Sequence, residues 1–321
     1  MDLKVNLAGL ELEHPIMNAA GVCKLPYGWE GVPELTRSAA SAVMVGSITF
    51  EERTGNSGEV YVPVKDRNEE KDEDGKILYS LNSLGLPNPG ADYYKKNLPE
   101  MAAVVHKAGK FLFVSVAGFA PSEYAALTRI VVEGGADAVE LNLSCPNVWK
   151  GKEQKQIACF NPKLVAEILD CFGGEFAGED IKLIVKLSPF SDPELLKEAV
   201  AVIAESKLVK AVTAINTFPN AFSFDESGKP RITPAGGLAG LAGPALKPIG
   251  LGQVKQLRDL LPERIQIIGV GGITSGRDVA DYLRAGAVAV QVATAFMDRG
   301  PKVFSELLGE LVELKEKESA I

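Results

Sequence analysis

Eight short apolar runs recur along the chain, most of them followed by a helical pattern, and this alternation constrains the fold more than any other feature. They cover residues 15–20, 42–49, 111–118, 138–144, 182–188, 211–217, 265–272 and 287–295. A near-continuous apolar run marks a strand covered on both faces, as in a parallel sheet. Stretches at 123–133, 161–172, 193–205, 251–261 and 275–285 read as helices, with Ser122, Asp192 and Ser275 as N-caps. Eight strands alternating with helices is the count of an α/β protein of the (β/α)8 TIM-barrel type, which takes about 250 residues and tolerates insertions. The 321 residues are therefore expected to form a single domain over 1–321. A doubly wound open sheet is the alternative, but no GxGxxG follows the first strand to support it.

One stretch interrupts the rhythm. Residues 54–80, after the second strand, include KDRNEEKDEDGK and few apolar side chains. Such an insertion is either a solvated surface excursion or a loop over the barrel mouth, where the βα loops of this fold lie.

Composition narrows the function. A net charge of −8 speaks against a nucleic-acid surface, which needs a basic stripe. Two histidines, His14 and His106, leave little material for a metal site or a Ser–His–Asp triad. The four cysteines, Cys23, Cys145, Cys159 and Cys171, form neither a CxxC pair nor a disulfide framework. The first residues, MDLKVNLAGLELEHP, alternate polar with apolar and read as neither signal peptide nor membrane anchor. A cytoplasmic, reduced protein without membrane or nucleic-acid partners is expected.

In this fold catalytic residues stand at the carboxyl ends of the strands. Strand one ends in Asn18-Ala19-Ala20-Gly21, strand four in Glu140 to Asn147, strand five around Lys186, and strand six in Ile215-Asn216-Thr217. Leu81 to Asn88 follow the charged insertion and bring Asn82. An asparagine amide both donates and accepts, so several together can match a ring edge of alternating N–H and C=O groups. Each can equally cap a helix or satisfy loop backbone. Glycines at 269, 271 and 272 and at 236, 237, 240 and 243 suit a phosphate cradle, since the loops after strands seven and eight often form one. Cys145, just past a strand end between Ser144 and Pro146, is the candidate nucleophile or base. Cys171 reads as helix packing.

These residues make up motifs. ELNLSCPN at 140–147, HPIMNAAG at 14–21, NSLGLPN at 82–88, VKLSP at 185–189, INT at 215–217, IIGVGGI at 267–273 and AVQVATA at 289–295 together resemble the class 1 dihydroorotate dehydrogenases. The resemblance runs from about residue 3 to residue 310. It implies a non-covalently bound FMN and oxidation of dihydroorotate to orotate in pyrimidine synthesis. In that family a cysteine, here Cys145, removes a proton from C5 while a hydride passes from C6 to flavin N5. It further implies that Asn82, Asn142, Asn147 and Asn216, with Thr217 beside them, bind substrate. Lys186 would contact the flavin, Ala19, Ala20 and Gly21 would line its ring, and Gly243, Gly271, Gly272 and Thr294 would hold the phosphate. Ser47, Ile215, Ala293 and Asn142 complete the implied cofactor site. The WKGKEQKQ stretch at 149–156 would close over the substrate. Soluble members of the family either pass electrons to fumarate as homodimers or hand them to a separate iron–sulfur/FAD subunit that uses NAD; GLAGPALKP at 240–248 with INT at 215–217 is similar to the second group.

The chain departs from the pattern at Gly46, where the family has a lysine near the end of strand two, and in GNSGEV at 55–60. Lys24 is the candidate substitute cation. Otherwise the substrate is another cyclic amide, such as a dihydropyrimidine. If a cation is simply missing at 46, Gly46→Lys is expected to raise dihydroorotate turnover.

Overall fold

Each of the eight apolar runs coincides with a strand in the computed structural model, which describes residues 2–23, 31–66, 75–150 and 153–319, although the sixth strand begins two residues before its run. They are β1 (Ile16–Asn18), β2 (Ala42–Ile48), β3 (Phe111–Val116), β4 (Ala138–Asn142), β5 (Leu183–Leu187), β6 (Val209–Ala214), β7 (Gln266–Val270) and β8 (Ala289–Val292). All pair in parallel, in the order β1-β8-β7-β6-β5-β4-β3-β2. The ends of that row meet. Asn18 on β1 accepts from Met44 N and donates to Met44 O on β2, both at 2.8 Å. Backbone bonds from Ser41 N to Ile16 O and from Gly21 N to Gly46 O flank this amide. The sheet is thus a TIM barrel with a side-chain seam.

Helices Pro121–Glu133, Pro162–Glu175, Pro193–Glu205, Lys247–Leu260 and Gly276–Arg284 cover the expected stretches. Asp192 caps as expected, accepting from Glu194 N and Leu195 N, and Ser275 forms a capping box with Asp278. Ser122 does not cap. Pro121 takes the first helical position, with φ already set for a helix, and Ala120 is the N-cap without a side-chain bond. No helix among the described residues is long and apolar enough to cross a membrane.

Side chains alternate along a strand, so every second residue enters the barrel. The lowest interior layer is apolar: Met17, Met44, Phe113, Ile184 and Ile268 pack together with Leu7 and Leu12. Those two leucines come from an antiparallel hairpin, Val5–Leu7 with Leu10–Leu12, which plugs the amino-terminal end. Above the opposite end lies a second, antiparallel sheet of Phe218–Ala221, Ala239–Ala242, Ile77–Asn82 and Tyr61–Lys65. The charged insertion supplies two of its strands. Of the two readings of 54–80, the described part fits the one over the mouth, since Tyr61, Ser80 and Asn82 all line the cavity there.

Candidate active site

The cavity lies between the carboxyl ends of the barrel strands and the antiparallel sheet, and all seventeen residues given a substrate, cofactor or catalytic role by the resemblance line it, whereas Gly236, Gly237, Gly240 and Gly269 do not. Ala19, Ala20 and Gly21 follow β1 and form a wall without bulk; a Cβ at Gly21 would meet no atom within 4 Å. Ser47 comes from β2, Asn142 from β4 and Lys186 from β5; Ile215, Asn216 and Thr217 follow β6.

The amides are not loose. Ser47 Oγ lies 2.8 Å from Ser115 Oγ, and Asn142 Nδ2 donates to Ser47 Oγ at 2.9 Å. Asn142 Oδ1 accepts from Ser144 Oγ at 3.0 Å, and Asn216 Nδ2 donates to Ser144 Oγ at 2.9 Å. Asn147 Nδ2 donates to Asn82 Oδ1 at 2.9 Å, and Asn82 Nδ2 to Gly240 O at 3.1 Å. Asn82, Asn142 and Asn216 are held through both amide atoms and Asn147 through its Nδ2, so the N–H groups and lone pairs left over present a rigid pattern to a ligand. Thr217 Oγ1 is buried without a hydrogen-bond partner among the described residues. Two other strand-end asparagines serve the backbone: Asn18 makes the seam, and Asn88 bonds Thr49, Leu86 and Gly90.

Cys145 stands in the loop after β4, half-buried at the cavity wall. Burial pushes its thiol above the ordinary value, while the Asn147 N–H and the charges of Lys155 and Arg53 pull it back. Both cations sit against the Phe119 ring, Lys155 Nζ at 4.0 Å and the Arg53 guanidinium at 4.8 Å from its centroid. Lys155 Nζ donates to Gly118 O at 2.8 Å and Arg53 Nε to Gly85 O at 3.1 Å. Cys159 differs: fully buried, with its sulfur accepting from Ser188 N, it is pushed up to about 12. Cys23 is likewise buried and pushed up to about 12. In the loop hairpin, Trp149–Lys150 pairs with Glu153–Gln154. Residues 151–152 of the stretch expected to close, and Lys24, lie outside the described residues.

At the far end Gly243, Gly271 and Gly272 all have positive φ. A Cβ at Gly272 would lie 2.7 Å from Lys247 Cβ and 2.9 Å from Gly243 O, so two backbone segments approach as only glycine permits. Ala293 and Thr294 complete this wall, with Thr294 Oγ1 3.1 Å from Ser80 Oγ. Behind it Asp278 accepts from Thr274, Ser275 and Lys247, and Tyr282 donates to Gly271 O at 2.7 Å.

Gly46 overturns the expectation that a lysine could be restored there. Its φ is +104°, and a Cβ would lie 2.3 Å from Ser115 O on β3. The backbone itself is built for glycine.

Tyr61, Ser80, Gln291 and the segment Leu84 to Pro87 also line the cavity without having been given a role from the sequence. Leu84 to Pro87 and Gln291 lay within the motifs NSLGLPN and AVQVATA, whereas Tyr61 and Ser80 had no signal.

A family model described as dihydroorotate dehydrogenase matches residues 2–314. The chain is 35% identical over 295 residues to the catalytic subunit of dihydroorotate dehydrogenase B (NAD(+)) of Methanopyrus kandleri, covering 92% of this chain and 86% of that one. It is 33% identical over 322 residues to dihydroorotate dehydrogenase A (fumarate) of Lactococcus lactis subsp. lactis, covering 98% and 94%. The crystal structure of DHODH from Eimeria tenella in complex with ferulenol shares the fold, with a TM-score of 0.78 at 22% identity over 99% of this chain and 86% of that one.

Proposed function

Because this chain belongs to the dihydroorotate dehydrogenase family, we propose that it is a flavin-dependent oxidoreductase that oxidises the CH–CH bond of dihydroorotate, with FMN as the flavin and Cys145 as the base. One observation carries the reading: a thiol, four fixed amides and a buried lysine line the same cavity as a glycine cradle. Ala19, Ala20, Gly21, Ser47, Asn142 and Ile215 would flank the flavin ring and Lys186 would contact it. The positive-φ glycines Gly243, Gly271 and Gly272, with Ala293 and Thr294, would hold its phosphate through backbone N–H groups. Bound there, FMN supplies a hydride acceptor.

The chain's own residues do the rest. Asn82, Asn142, Asn147 and Asn216, with Thr217, pair the amide edges of the substrate ring. Its carboxylate goes to the loop from Leu84 to Leu86. Gly85 and Leu86 both have positive φ there, and none of the three N–H groups has a protein acceptor among the described residues. Successive amides so turned form an anion nest, and Arg53 on Gly85 O adds positive charge behind it. This favours an anionic substrate over a neutral dihydropyrimidine, although Gly46 carries no cation. Cys145 Sγ takes the proton from C5. It must first be a thiolate, and since burial raises its pKa, the rate should climb with pH.

The test is anaerobic mixing of FMN-loaded protein with dihydroorotate. Flavin bleaching is expected, and in Cys145→Ala it should be slower by about 10²-fold or more with FMN retained. Equal rates would make the cysteine structural, and a folded protein that takes up no FMN would end the reading. We propose further that the working form is a homodimer joined by a separate iron–sulfur/FAD subunit that passes electrons to NAD. A relative named as the catalytic subunit of an NAD(+) enzyme supports this, while others are named for fumarate. Assays with fumarate, NAD and a dye side by side decide between them.

A further inference from the structure

Directly under the cavity the barrel interior holds an ion pair where this fold ordinarily packs branched apolar side chains. Lys186 Nζ lies 3.3 Å from Glu140 Oε1, and the carboxylate is fully buried. Gln291 clamps both partners: its Oε1 accepts from Lys186 Nζ at 3.1 Å and its Nε2 donates to Glu140 Oε2 at 2.8 Å. Thr213 Oγ1 donates to the same Oε2 at 2.8 Å. Three strands besides that of Lys186 thus contribute a side chain to fixing one ammonium. Lys186 and Gln291 reach the cavity surface, whereas Glu140 does not line it.

A buried ion pair is weak evidence for stability, because desolvation offsets most of the attraction. Packing gives no reason for it. A cation at the cavity floor without a buried anion would stabilise negative charge on whatever lies above it more strongly than a neutralised one would. We propose that Glu140 is a positioning residue that holds Lys186 in place and limits the positive charge it offers to a bound flavin ring. The proposal rests on the reading that FMN fills this cavity.

The midpoint potential of bound FMN at neutral pH tests it. Glu140→Gln keeps the shape and removes the charge, so the potential is expected to rise. The affinity ratio of reduced to oxidised FMN should change by about tenfold or more, which is about 30 mV for a two-electron couple. The same change made in a Lys186→Met background should move the potential little, because a fully buried carboxylate left without its cation takes up a proton and has no charge to lose. Should Glu140→Gln not fold, Glu140→Asp keeps the charge but draws it back from Lys186, and a smaller rise is expected. An unchanged or lowered potential in a folded, FMN-loaded variant would overturn the proposal, as would an equal rise without Lys186. A wild-type protein that binds no FMN would instead remove the reading beneath it, and the proposal with it.

Discussion

Two residues along each strand separate two different interiors. Phe113 gives way to Ser115 on β3, Ala138 to Glu140 on β4, Ile184 to Lys186 on β5, Ala211 to Thr213 on β6 and Ala289 to Gln291 on β8. All ten are buried or nearly so, so exposure does not set the layers apart. The lower layer is held by contact and tolerates no gaps, since protein interiors pack as densely as organic crystals. The upper layer is held by directed bonds whose partners stand up to 151 residues apart in sequence. The first stabilises the barrel; the second costs desolvation and repays it as a fixed charge and fixed amides beneath the cavity. One architecture thus keeps stability and chemistry on neighbouring rungs of the same strands.

Substitutions at different heights should separate the two. Phe113→Ala in the lower layer is expected to cost about 3–5 kcal/mol in urea unfolding, with the potential of any bound flavin unmoved. A small cost would mean the lower layer can collapse and is not the stabilising one. Gly46→Lys is expected to lose roughly 2–4 kcal/mol from overlap with Ser115 O and from positive φ together; a thermal melt at or above wild type would show that β2 can shift to admit a cation. Thr213→Val, nearly isosteric, should cost about 1.5–3 kcal/mol because it takes a donor from a buried carboxylate. A neutral result there would make the upper network idle.

The smallest effect lies at the base. His14, buried, accepts from Ile16 N at 3.2 Å, and burial holds its ring below the ordinary 6.5. As pH falls past that value the unfolded chain takes up this proton before the folded one does. The contribution of the neutral ring is therefore complete above about pH 6.5 and is lost on acidification, at no more than about 1.4 kcal/mol per pH unit. Urea midpoints between pH 7.5 and 5.5 should fall less steeply in His14→Gln than in wild type, and parallel slopes would clear His14 of any part in acid sensitivity.

The barrel strands were legible because each is a mostly apolar run, interrupted by no more than a few polar residues, a pattern that needs no knowledge of its neighbours. The seventeen cavity residues were legible through motifs. Glu140 was in plain view within ELNLSCPN yet unreadable, since its meaning comes from Lys186, Thr213 and Gln291 on three other strands. The strands at Tyr61–Lys65 and Ile77–Asn82 were hidden by the charge between them. Their pairing with Ala239–Ala242, far along the chain, leaves no local trace. Gly46 misled for a related reason. A letter that differs from a family pattern looks like a missing side chain until the backbone shows why none fits.

The amide of Asn18 makes the barrel a ring with a clasp. Elsewhere around the circumference, strand neighbours are joined by ladders that fix their register; between β1 and β2 one side chain stands in for the central rungs. A ring of this kind has a natural place to be cut. Rearranged genes that bring the old ends together and begin the chain at β2 would leave every ladder intact, and only the clasp and its two flanking backbone bonds would have to be made late. The only amide side chain in the closing contact is then one replaceable letter, with Ser41 Oγ and two backbone bonds beside it, and the seam lies apart from the strands that carry the ammonium and the thiol.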